Sequence, residues 1–181
     1  MTRHHLERVL FVVAGRHRGK SAQLRSMFRD VRMGTGEELP SARKLKDLHR
    51  LTNERFLYLR LSSPHELKES PREFFRKTRD KIDGAKEAWG RRWNFACALQ
   101  TDASNKMPNV VETVKLFVGQ FEPERTRVVF LSPDRNGEVL TENDVLQLSK
   151  RLRRIPSVEV CLIDARGIEA NGLMLADFFA F

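Results

Sequence analysis

Val9-Leu10-Phe11-Val12-Val13-Ala14-Gly15-Arg16-His17-Arg18-Gly19-Lys20-Ser21 is the stretch on which the fold of this chain turns. Its first five residues are apolar and largely β-branched or aromatic, which reads as a strand covered on both faces. Ala14 to Ser21 then fit the spacing [AG]-x-x-x-x-G-K-[ST]. Small residues in such a turn let successive backbone N–H groups point inward at a phosphate. A lysine supplies charge to the terminal phosphates, and a hydroxyl is placed for Mg²⁺. Beyond the turn, Leu24, Met27, Phe28 and Val31 recur at spacings of three and four, which predicts a helix whose positive end faces the same anion.

On these residues the segment resembles the P-loop nucleoside-triphosphate-binding superfamily, over roughly residues 8–33. The resemblance implies ATP or GTP bound with Mg²⁺ by Ala14, Gly15, Arg16, His17, Arg18, Gly19, Lys20 and Ser21. Lys20 would reach the β- and γ-phosphates, and Ser21 the metal. The chain departs from the commonest form by placing Ala14 at the first fixed position and by crowding the loop with Arg16, His17 and Arg18.

The rest of the chain supplies the matching architecture. Arg55–Leu61, Trp93–Leu99, Arg127–Leu131 and Val158–Ile163 are four more short apolar runs. Ser70-Pro71-Arg72-Glu73 is a capping box with proline at the first helical position, opening a helix expected to reach about Trp89. Pro108 opens the next, with Val110, Val111, Val114, Phe117, Val118 and Phe121 as one apolar stripe. Thr141 caps a third helix, whose basic end is Lys150, Arg151, Arg153 and Arg154. Residues 33–41 read as a loop, followed by a basic amphipathic segment at 42–52. The alternation predicts one α/β domain over residues 1–181, a mostly parallel five-stranded sheet with helices on both faces, in the manner of a P-loop three-layer sandwich. The strand carboxyl ends then share one edge, where ligands of such sheets bind.

A working site of this kind also needs an acid at another strand end to orient the metal or its water. Val160-Cys161-Leu162-Ile163-Asp164 is the best local match, which nominates Asp164 with Ser21 for the metal and with Lys20 for catalysis. Glu66, Asp102 and Asp134 follow other strand ends and are further candidates. Arg16, Arg18, Arg91 and Arg92 are candidates for stabilising charge on a transferred phosphoryl group.

The chain carries 33 basic and 24 acidic residues, and residues 1–60 hold 14 and 6 of them. The excess cation therefore sits with the loop, and it exceeds what a nucleotide needs, so nucleic acid or another polyanion is a second expected partner. Cys97 and Cys161 read as thiols of a reducing, cytoplasmic protein, and no apolar run has the length of a membrane span. The apolar ending Ala170–Phe181 reads as a closing helix, or as a Phe-rich surface for self-association. Its Gly172-Leu173-Met174-Leu175-Ala176-Asp177 is also similar to the closing helix of an RNase H-like family of presumed nucleases, which would join Asp177 to Asp134 or Asp164 in a metal-binding set.

Three functions are thus expected: a small kinase-like phosphotransferase or NTPase, a basic α/β module that binds nucleic acid or protein without turnover, and a metal-dependent nuclease.

Overall fold

In the computed structural model, which describes residues 5–33, 39–43, 45–85 and 92–179, the first apolar run becomes a central strand. The strands in chain order are β1 (Leu6–Val13), β2 (Leu48–Arg50), β3 (Arg55–Arg60), β4 (Arg92–Leu99), β5 (Arg125–Leu131) and β6 (Val158–Ile163). They form one sheet among the described residues, in the order β2-β3-β4-β1-β5-β6. All neighbours are parallel except β2 and β3. Among the described residues five α-helices accompany them: α1 (Lys20–Ser26), α2 (Pro71–Asp83), α3 (Val110–Phe121), α4 (Glu142–Leu152) and α5 (Ile168–Asp177).

The pleat of β1 divides the core. Val9, Phe11 and Val13 face one cluster with Phe74 of α2, Phe117 of α3 and Leu152 of α4. Leu10 and Val12 face the other, with Leu24 of α1 and Leu175 of α5. Side chains of successive strand residues point to opposite faces, so the two clusters are the two sides of the sheet. Every β1 residue except Arg8 is buried, which explains why the run reads as continuous rather than alternating.

Local signals account for the helix starts. The Ser70 hydroxyl accepts from the Glu73 N–H while Glu73 reaches back to the Ser70 N–H, and Pro71 occupies the first turn. Asn109 and Thr141 cap α3 and α4 with their side-chain oxygens, which accept from the N–H groups of Glu112 and Asp144. The apolar stripe of α3 is buried, with Phe121 half-buried at its end. No helix among the described residues is long and apolar enough to cross a membrane.

Three expectations needed correction. The sheet has a sixth strand: Leu48-His49-Arg50, within the basic segment at 42–52, pairs antiparallel with Phe56–Tyr58. Three residues with one apolar side chain carry no periodicity to read. The helix after the loop is short, tightening into a 3₁₀ turn at Met27–Arg29, and Val31 lies 79% exposed beyond it. α2 ends at Asp83, short of the expected Trp89, which lies outside the described residues, as do Arg91 and Phe181.

α5 closes the sheet against α1. Phe178 and Phe179, which follow it, are buried, so these two phenylalanines offer no surface for self-association. At the crossing, a Cβ on Gly172 would stand 2.3 Å from the Ser26 carbonyl oxygen. Backbone cannot yield as a side chain can. Gly172→Ala is expected to cost about 1–3 kcal/mol, the usual penalty of overpacking, read as a lower midpoint in urea or thermal unfolding.

Candidate functional site

Four strand ends converge where the loop leaves β1. Val13 and Ala14 lie between the ends of β4 and β5, and the Ala14 N–H donates to the Leu99 carbonyl at 3.4 Å. The order β3-β4-β1-β5-β6 sends the chain to opposite sides of β1, which makes its carboxyl end the switch point of the sheet. A cleft of about 710 Å³ opens there, lined by Gly15, Arg16, Arg18, Asp102, Asp134 and Glu138 among others. That is the size range of small-molecule sites. A groove of about 700 Å³ between α3 and α4 touches no residue of the loop.

Lys20 opens α1 and is only 4% exposed. Its Nζ turns back onto the Gly15 carbonyl at 2.6 Å and lies 3.8 Å from a Glu66 carboxylate oxygen. Burial pushes its pKa below the ordinary lysine value, and Glu66 opposes that shift. The Ser21 hydroxyl donates to the Leu61 carbonyl just past β3, at 2.8 Å. Gly19 has φ +97°, in the left-handed region that glycine enters without strain. His17 is also left-handed, at φ 58°.

The turn after β5 clamps the outer side of the loop. The Arg135 N–H donates to the Arg18 carbonyl at 3.3 Å. A Cβ on Gly19 would meet the Arg135 Cβ at 3.0 Å, so the second fixed position of the motif admits little but glycine. Arg18 pairs with Asp134 at 3.3 Å and Glu138 at 2.6 Å. Asp134 is buried and also accepts from the Asn136 and Glu138 N–H groups. On the other side, buried Gln23 donates to the Ala165 carbonyl at 2.6 Å, tying α1 to the turn after β6.

The candidate acids separate. Glu66 stands beside Lys20, and Asp102 shares the cleft with Gly15 and Arg16. Asp164 follows β6, one strand beyond β5, and is bound by Arg166 of its own turn, which holds its carboxyl down at about 2. The sequence favoured Asp164 because four apolar residues precede it. Glu66 stood behind it as a further candidate, because its approach to Lys20 depends on how the Ser63–Leu67 turn folds. Arg92 begins β4, so it lies at the amino edge of the sheet, 3.7 Å from Glu7 and remote from the loop. Arg135 was not recognised from sequence, since nothing in its neighbourhood announces that the turn folds over Gly19.

Asp177 ends α5 and pairs with Arg32. A helix that starts after β6 runs back toward the amino edge, which takes Asp177 away from Asp134 and Asp164. Among the described residues no group of three or more His, Cys, Asp or Glu is placed to hold a metal by itself. The carboxylate set of the nuclease reading is therefore not assembled. Cys97, fully buried, has its thiol pushed up to about 12, and neither cysteine is in a disulfide.

Compared with known proteins, the chain matches no family model, no curated protein and no solved structure.

His65 is a sensitive point of this edge. It is wholly buried, with Nδ1 3.1 Å from the Ser63 hydroxyl and Nε2 2.9 Å from the Pro108 carbonyl. Burial chiefly lowers its pKa, with the Lys20 charge adding to the effect. A depressed folded value means that stability is full above the ordinary histidine pKa of about 6.5 and is lost as pH falls toward the folded value. Half-buried His49 shifts the same way, chiefly through desolvation. The urea midpoint should fall between about pH 7.5 and pH 5.5, and less steeply in His65→Gln than in wild type.

Proposed function

We propose that residues 14–21 bind the phosphates of a nucleoside triphosphate, ATP or GTP, together with Mg²⁺, in a P-loop-like α/β domain. The observation that carries this reading is Lys20. An ammonium has three donors, yet in a nearly closed site this one has, among the described residues, a single hydrogen bond, to Gly15, and a carboxylate at 3.8 Å. Placing a cation there is costly unless an anion shares the site. The small residues around it, the sheet's switch point and the cleft beside it all suit a phosphate chain. The short α1 makes the lysine and the loop, rather than a helix dipole, the main source of attraction.

The residues present also suit Mg²⁺, which binds through one or two protein oxygens plus phosphates and water and needs no protein cage. Ser21 would exchange its bond to Leu61 for the ion, with Glu66 or Asp102 as the acid in place of Asp164. The ion would neutralise charge on the phosphates. Lys20 would orient the terminal phosphates. Arg18, released from Asp134 and Glu138, would face the same charge. A small kinase-like phosphotransferase or an NTPase is the activity that such a set supports.

Calorimetric titration of ATP and GTP with Mg²⁺ tests the reading. Wild type should bind in the micromolar range, and Lys20→Met should weaken binding at least about tenfold, or 1.4 kcal/mol. Glu66→Gln or Asp102→Asn should weaken it only when Mg²⁺ is present, and Asp164→Asn should leave it unchanged. Absence of binding by a folded wild type would overturn the proposal.

A further inference from the structure

The face of the sheet that carries α2 and α3 has a charged feature the loop does not use. Arg72, Arg76 and Arg79 stand at i, i+4 and i+7 of α2, a spacing that puts them on one stripe. All three are exposed. They line a groove of about 390 Å³ with Pro71, Phe75, Leu116 and Gln120, and none of these lining residues is acidic.

The floor is aromatic and fixed. Phe75 is half-buried, its ring edge-on to Phe117 at 5.9 Å and to Phe121 at 6.0 Å. Leu116 beside it is 44% exposed. Arg79 lies 5.9 Å from the Phe121 ring centre. Arg76 pairs with Asp80 at 3.0 Å, but both partners are mostly exposed, and such a pair is easily given up for a stronger anion.

We propose that this α2–α3 groove binds single-stranded nucleic acid, with phosphates on Arg72, Arg76 and Arg79 and a base against Phe75. Charge complementarity selects a polyanion, and planar guanidinium forks match phosphate oxygens. A basic track beside an aromatic platform is the combination that holds single strands without sequence preference. The stripe extends about 10 Å along the helix, enough for two or three nucleotides. An acidic peptide would use the arginines and leave the ring idle. A membrane surface would need more exposed apolar side chains around the stripe than Leu116 provides. The proposal is independent of the nucleotide reading and lies outside the basic first third of the chain.

Fluorescence anisotropy of a labelled single-stranded 12-nucleotide DNA, measured at salt concentrations from about 50 to 200 mM, tests it. Wild type should bind with affinity that falls steeply as salt rises. In the triple variant R72A/R76A/R79A the log–log salt slope should drop by about 2, since each phosphate contact on a single strand contributes about 0.7. Phe75→Leu should weaken binding several-fold with the slope unchanged, and Lys20→Met should have no effect. Thermal unfolding of each variant confirms that it is folded. The proposal is overturned if wild type does not bind at the lowest salt, or if the triple variant keeps the wild-type slope. It also fails if Lys20→Met abolishes binding, which would place the strand at the loop. If polyglutamate of equal charge displaces the DNA equally well and Phe75→Leu changes nothing, the groove is a general polyanion surface and the proposal fails.

Discussion

Everything at the candidate site hangs on the two-sided pairing of β1. Phe11 lies opposite Cys97 on one neighbour and Val128 on the other, and the ladder continues to Val13 on both sides. Strands buried on both faces and paired on both edges have little freedom, so the turn that follows begins from a fixed point. The loop is then stitched to strand ends on either side. Ser21 reaches Leu61 beyond β3, and Arg18 accepts from Arg135 beyond β5. His65 joins the β3 and β4 turns through the Pro108 carbonyl. The result is a rigid edge built from turns, each anchored by a hydrogen bond to the next.

Charge is distributed by edge. At the amino edge, buried Glu7 draws Arg55 to 3.1 Å and Arg92 to 3.7 Å. Across β5 and β6, Glu159 binds Arg125 and Arg127, and Arg127 also stacks 4.5 Å from the Phe178 ring centre. These arginines hold the sheet and its closing segment. At the carboxyl edge the pairs are of another kind. Arg18 shares two acids in a solvent-facing cleft, and Lys20 is kept near one without a close ion pair. An anion entering that edge would meet cations whose present partners are modest.

Much of the architecture could be read directly because each signal is local. Five apolar runs became the five parallel strands, and Ser70-Pro71-Arg72-Glu73 and Thr141 capped the helices expected of them. β2 escaped notice because its hydrogen bonds come from β3, not from any pattern of its own. At the site, the loop's position at a strand end was legible, while its neighbours were not. Asp164 looked best in sequence and is held in its own turn, whereas Glu66, a lesser candidate, and Arg135, which nothing marked, reach the loop through folded turns. Sequence spacing governs what a strand carries to the edge. Which turns lean over it is decided by long-range packing.

The position of β1 also sets a timetable. The strand is made first, but its partners β4 and β5 arrive about 90 and about 115 residues later. At synthesis rates of about 5–20 residues per second, an emerging Val9–Val13 segment waits on the order of 5–20 seconds for its first parallel neighbour. Pairings so distant in the chain must also meet the cost of closing a long loop before they return any stability. The central strand of the sheet is therefore the one left longest without a partner on the ribosome.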